Sequence, residues 1–237
     1  MNAHGSEPIQ GNQAPILLTL DTAGPACQVV VAAGASVLAQ ISTPMLRGHG
    51  EALVPMVEEA LDQAGLTYES LDRIGVTIGP GSFTGMRVAL AAARGFSATL
   101  NIPVIGIGTL QALAVTDVLE SKSTAVRCVA IDARNGLVYG QRFKPDGSPM
   151  EDPAVMADLV FSTSVPEGAR LVGSATPVIA ALVRAANKSA ILGTIHAVPS
   201  AQALVNLASV GDPKEKPKPL YLKAADAIAA QPAGLRA

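Results

Sequence analysis

Apolar and polar positions along this chain switch between a two-residue and a 3-to-4-residue period, and the switches mark its elements. Residues 16–20 are a short apolar run of strand type that ends at Asp21. A turn through Thr22-Ala23-Gly24-Pro25 follows; residues 27–33 return as a second strand, and 36–42 add a third after Gly34. Residues 51–64 read as a helix. Leu53, Val57, Ala60, Leu61 and Ala64 share one face, Val54 widens the stripe, and Gly65 supplies a C-terminal stop. After a strand at 74–78 comes a second helix, 87–100, that is apolar almost all round, with Arg87 and Arg94 seven apart on one face. Such a helix is either fully buried or packed against another chain. A strand at 102–107 and a helix at 109–119 lead out of this half.

The second half begins as the first did. Residues 126–131 form a strand that ends in Asp132, a turn runs through Ala133-Arg134-Asn135-Gly136, and 137–143 return. The pattern of strand, Asp, Gly-containing turn and strand therefore occurs twice, which predicts two related α/β lobes. A turn at Asp146-Gly147, a strand at 170–172 and helices at 176–187 and 200–209 complete the series, with Ser200 as N-cap. The expected division is a disordered extension (1–14), a first lobe (15–110), a second lobe (111–211) and a Pro/Lys-rich tail (212–237). The stretch from Asp212 to Pro219 carries three prolines and cannot be helical. It is either a solvated tail or a contact arm for a protein or RNA partner.

Composition narrows the function classes. Charged residues are only 15% and apolar ones 49%, against about 25% charged in an average soluble protein, which favours an apolar partner interface. A net charge of −2 gives no global attraction to nucleic acid or anionic membrane. With no Trp and 3% aromatics, base stacking and direct RNA binding by this chain alone are disfavoured. Cys27 and Cys128 lie in apolar strand-like runs without a CxxC partner and read as buried thiols. Residues 1–14 show no basic-then-apolar leader, and no apolar run approaches the ~18 residues of a membrane span. The chain reads as soluble and cytoplasmic.

Candidate chemistry concentrates in Gly79-Pro80-Gly81-Ser82-Phe83-Thr84-Gly85-Met86-Arg87, between a strand and a helix. Glycines ahead of a helix N-terminus suit an anion or nucleotide phosphate, with Gly81, Ser82, Thr84 and Gly85 as contacts. The alternative is a purely structural tight turn. The glycine spacing misses the dinucleotide fingerprint by one residue and lacks the Gly-Lys-Ser/Thr ending of a P-loop. Pro80 and Thr84 replace the glycines of a serine nucleophile elbow, and neither His49 nor His196 is placed by sequence to complete a triad. Asp21 and Asp132 could each approach a Mg²⁺-bound phosphate from a strand end, or simply bond their own turns. No His pair has ligand spacing, so no catalytic residue and no metal site are assigned.

With those residues in view, the chain resembles the TsaB (YeaZ) family of the bacterial tRNA threonylcarbamoyladenosine machinery, over roughly residues 16–225. The glycine loop through Arg87 carries most of the likeness. Leu20-Asp21-Thr22-Ala23, Arg47-x-His49, Ile131-Asp132-Ala133-Arg134 and Pro219-x-Tyr221-Leu222 support it. Gly50, Met86 and Lys223 depart from the residues expected there; Lys223 stands in for an arginine and would weaken a bidentate contact. The resemblance implies the two-lobe actin/Hsp70/sugar-kinase (ASKHA) fold with duplicated ribonuclease-H-like lobes. It also implies a non-catalytic subunit beside a TsaD-type partner, whose HxxxH metal site this chain lacks, with a TsaE-type ATPase joining them and tRNA reached through the complex. Docking is then expected on the first-lobe helices through His49, Leu53, Val54, Val57, Arg87, Leu90, Ala91 and Arg94. A homodimer of the isolated chain and ATP or ADP with Mg²⁺ at the partner interface are compatible with it. The competing classes are an ATP/Mg²⁺-dependent kinase-like enzyme using Asp21 and Asp132 and, more weakly, a peptidase. A charge placed at Ala89 or Ala92 should test the docking helix.

Overall fold

The computed structural model describes residues 14–195, 197–214 and 216–222. The expectations for the extension at 1–13, for His196, for Lys223 and for the tail beyond Leu222 lie outside the described residues. In the first lobe β1 (Ile16–Asp21), β2 (Ala26–Ala33) and β3 (Ser36–Pro44) lead into α1 (His49–Ala64). Then come β4 (Arg73–Gly79), α2 (Phe83–Leu100), β5 (Val104–Gly108) and α3 (Thr109–Glu120). The second lobe repeats the order as β6 (Arg127–Asp132), β7 (Leu137–Phe143), β8 (Ala154–Ala157), α4 (Asp158–Ser164), β9 (Arg170–Val172), α5 (Thr176–Ala185), β10 (Ile191–Leu192) and α6 (Ala201–Val210). The sheets run β3-β2-β1-β4-β5 and β8-β7-β6-β9-β10. In each, the first three strands are antiparallel and the last two run parallel to the first. The duplication inferred from two strand–Asp–turn patterns therefore extends to the whole topology.

Each central strand is apolar along its length because both its faces are covered. Leu18 and Leu20 of β1 point into the core beneath α1 and α2, while Leu17 points into a second core with Leu204, Val205 and Ala208 of α6. In β6, Cys128 and Ala130 face the core of the second lobe, and Val129 faces Leu110, Leu113 and Ala114 of α3. The two last helices thus exchange partners. Helix α3 follows the first sheet and packs on the second while keeping contact with β4 and β5, whereas α6 follows the second sheet and packs on the first. The boundary drawn at 110/111 falls within α3, and the 111–211 assignment leaves α6 in the wrong lobe. Its apolar stripe finds its mate only through long-range packing.

A buried ion cluster fixes α3 to the second sheet. Asp117 accepts from Arg127 Nε at 2.8 Å and from Arg170 Nη2 at 2.7 Å, and the Thr194 amide adds a third donor at 3.1 Å. Burial pushes the Asp117 carboxyl up, but the Arg170 and Thr194 hydrogen bonds and both guanidinium charges outweigh it and hold it below the usual range. Helix α2 begins four residues before the expected Arg87, because Ser82 caps it by accepting from the Gly85 amide at 3.2 Å. Strands β8 and β10 and helix α4 carry too little periodicity, over two to seven residues, for the pattern to reveal them.

Candidate functional site

The loop between β4 and α2 is built around the β1–β2 turn. The Ser82 amide donates to the Ala23 carbonyl at 2.8 Å, and Thr22 Oγ1 donates to the Gly85 carbonyl at 2.6 Å. A Cβ on Gly81 would run into the Ala23 carbonyl, and one on Gly85 into that of Thr22. Glycine is therefore demanded at both places by backbone packed against backbone. Gly79, at φ +104°, opens the loop with a cis bond to Pro80. Of the first-turn amides of α2, Gly85 and Met86 are satisfied by Ser82. Phe83 and Thr84 are the remaining first-turn amides, the positions at which a helix N-terminus can receive an anion.

These residues form one wall of a cleft of about 840 Å³ between the lobes. Gly81, Ser82 and Thr84 line it from the first lobe, and Asp132, Arg134 and Ser174 from the second. The structure thus brings together four of the six candidate anion contacts. Gly85 lies behind the wall, and so does Asp21, at 1% exposure. Asp21 Oδ1 accepts from Thr77 Oγ1 at 2.7 Å and from the Ala23 amide at 2.9 Å. Burial raises its pKa; those two hydrogen bonds and nearby His49 pull the other way without cancelling it. A carboxylate held like this cannot meet a Mg²⁺-bound phosphate without unpacking β4. Asp132, by contrast, is exposed and accepts from the Arg134 amide at 2.8 Å as a turn-bonding Asp.

The volume suits a nucleotide, and Arg47 and Arg134 line the cleft with Phe83 and Thr84. This set fits an anion. It supplies one exposed carboxylate rather than two, and among the described residues no group of three His, Cys, Asp or Glu is placed to hold a metal. His49, expected on the partner face, instead lines the cleft; among the described residues its buried Nε2 has no partner, nor has the buried Oγ1 of Thr109, another lining residue. Thr109, Arg134 and Ser174 went unnoticed as cleft residues. Arg134 lies in the turn of the second strand–Asp–turn copy, which was the signal available; Ser174 joins only in space, where its hydroxyl accepts from the Asp132 amide at 3.1 Å.

The outer face of the first-lobe helices also differs from expectation. Leu53, Val57 and Leu90 are 0–3% exposed and belong to the lobe core. They cannot meet a partner, because the stripe that makes α1 amphipathic is spent on its own sheet. Val54, Arg87, Ala91 and Arg94 are exposed. Ala89 is fully buried, so a charge there would test folding rather than docking. Both arginines reach the C-terminal segment. Arg94 Nη2 donates to the Pro217 carbonyl at 2.9 Å, and Arg87 Nε to the Tyr221 hydroxyl at 2.8 Å. The Arg87 guanidinium lies 3.9 Å from the Phe83 ring centre, and the Phe83 and Tyr221 rings are 5.0 Å apart. The Leu220 amide donates to the Ile78 carbonyl at 2.7 Å. Residues 216–222 are thus a strap laid on the chain's own first lobe, not a solvated tail.

A family model described as TsaD, tRNA N6-adenosine threonylcarbamoyltransferase, matches residues 36–189. An uncharacterized protein of Mycobacterium tuberculosis is 34% identical over 217 residues, 91% of this chain and 95% of that one. The tRNA threonylcarbamoyladenosine biosynthesis protein TsaB of Escherichia coli is 33% identical over 130 residues, 55% of each chain. YeaZ from Pseudomonas aeruginosa superimposes with a TM-score of 0.73 at 28% identity, covering 88% of this chain and all of that one. The chain belongs to the TsaD-like family, in its TsaB (YeaZ) branch. Both lobes share one strand order, three antiparallel strands followed by two parallel ones, which is the duplicated two-lobe α/β arrangement anticipated from the sequence. Among the described residues of this TsaB-branch chain, no helix is long and apolar enough to cross a membrane.

Proposed function

We propose that this chain acts in tRNA threonylcarbamoyladenosine biosynthesis as a non-catalytic subunit that supports a TsaD-type partner in the cytoplasm. The partner transfers the threonylcarbamoyl group from threonylcarbamoyl-AMP to N6 of the adenosine beside the anticodon, with a TsaE-type ATPase in the same assembly. The observation that carries the subunit role is the outer face of α1 and α2. Val54 and Pro55 of one helix and Ala91, Gly95 and Ala98 of the other are exposed, flanked by Arg87 and Arg94. Small residues let another helix approach closely, and they lose little side-chain entropy on docking. The same face serves a homodimer when the partner is absent. A kinase-like reading has the nucleotide-sized cleft in its favour. Against it stands Asp21, buried and committed to Thr77.

The test is Ala91→Glu, at an exposed site where folding is spared. Capture of the TsaD-type partner and threonylcarbamoyladenosine formation, read by nucleoside mass spectrometry, should both fall while the unfolding midpoint stays put. Undiminished capture and modification would sink the docking role. ATP hydrolysis or threonylcarbamoyl transfer by the isolated chain would overturn the non-catalytic one.

A further inference from the structure

We infer that residues 216–222 are a latch over the mouth of the interlobe cleft, held shut through Arg87 and opened when a partner's carboxylate takes that guanidinium. Only the opening step rests on the docking role proposed above.

The strap is held by different contacts along its length. Pro217 is buried and its carbonyl is held by Arg94. It sits over Gly106, where a Cβ would come within 3.0 Å of the Pro217 ring. The middle is tied by the Leu220 amide to the C-terminal end of β4 at Ile78. Tyr221 is 42% exposed and is kept by side chains, the Arg87 hydrogen bond and the Phe83 ring. Leu220, Tyr221 and Leu222 line the cleft across from Asp132 and Arg134. Prolines at 217 and 219 restrict the strap whether shut or open, so little conformational entropy opposes reclosing.

The chemistry at Arg87 makes the Tyr221 contact releasable. Its Nε is bound to a neutral phenol hydroxyl, whereas a carboxylate would make a paired, charge-assisted contact of roughly twice the strength. In the side-on geometry that carboxylate uses Nε, the nitrogen Tyr221 now holds. Water screens such a pair on an open surface. A protein seated on α2 excludes that water, and the exchange then favours the carboxylate. Because Arg87 lies on the exposed side of α2 and Tyr221 lines the cleft, docking and cleft opening share one switch. Whatever enters the cleft and whatever binds α2 favour each other reciprocally.

Hydrogen exchange of the full-length chain, read by mass spectrometry on the peptide covering 216–222, tests this. The two prolines leave few amides there, and Leu220 is the one donated into β4. Tyr221→Phe keeps the ring and removes only the hydroxyl, so the protein stays folded while strap exchange rises about tenfold. Unchanged exchange in that variant overturns the latch. Adding the TsaD-type partner, with complex formation confirmed by co-elution, should raise strap exchange in the wild type. If the complex forms and strap exchange holds or falls, as an end-on contact sparing Nε would give, the opening step is wrong and docking stands. If no complex forms, docking fails and takes the opening step with it, while the Tyr221→Phe result still decides the latch.

Discussion

Gly85→Ala and Gly95→Ala place the same methyl group on the same helix and should move stability in opposite directions. At Gly85 the added Cβ meets the Thr22 carbonyl oxygen, lies 3.0 Å from its carbon and 3.2 Å from the Ser82 Cβ. The first of these neighbours is backbone, so the β1–β2 turn itself must give way, at a cost of about 2 kcal/mol for overpacking. Moving that turn also strains the 2.6 Å bond from Thr22 to the Gly85 carbonyl, worth about 1 kcal/mol. Alanine returns about 1 kcal/mol of helix propensity. The net loss is about 2 kcal/mol, which lowers the midpoint of a chain this size by about 4–8 °C. Among the described residues no atom lies within 4 Å of where a Gly95 Cβ would sit, so there only the propensity gain remains and stability rises by about 0.5–1 kcal/mol. Urea unfolding followed by circular dichroism separates the two cases. Equal stabilities would refute the close-packing account of Gly85 and reopen the loop as a ligand cradle, whose glycines would matter for binding and not for folding.

Three further outcomes follow from the buried polar groups and thiols. Asp117→Asn leaves Arg127 without a carboxylate in a site with no solvent access, and should cost about 3–5 kcal/mol in urea unfolding. Since the folded Asp117 carboxyl lies below the usual range, its stabilisation is complete above the unfolded value of about 3.9 and is lost as pH falls through the folded one. Asp21 has the opposite sign. Burial raises its folded pKa, so its contribution is complete below about pH 3.9 and is lost as pH rises through the folded value. Asp21→Asn keeps the acceptor for Thr77 and Ala23, and its stability relative to wild type should climb from acid toward neutral pH; a flat difference would contradict the assigned shift. Burial pushes the Cys128 thiol up to about 12 and the Cys27 thiol up to about 11. Both should resist iodoacetamide at neutral pH until the chain unfolds, and prompt labelling of the native protein would count against their burial.

The sequence by itself determined the repeated architecture. Two apolar strands that each end in Asp before a Gly-containing turn, with helices of 3-to-4 period between, already specified two related lobes. That information is local, because alternation and capping depend on neighbours a few residues away. What the repeat could not say is that its two aspartates part company. Thr77 of β4 closes over Asp21, while Asp132 stays at the cleft surface, and only the packing of distant strands separates them. The helix after the loop was ambiguous for a related reason. Alanine is written the same on both faces, so the buried Ala89 and Ala93 could not be told from the exposed Ala91 and Ala98. Likewise the glycines marked a close approach, and the fold alone revealed that what approaches is the chain's own β1–β2 turn. The tertiary structure also returned α6 and the strap at 216–222 to the first lobe, contacts between residues more than a hundred positions apart that no local pattern encodes.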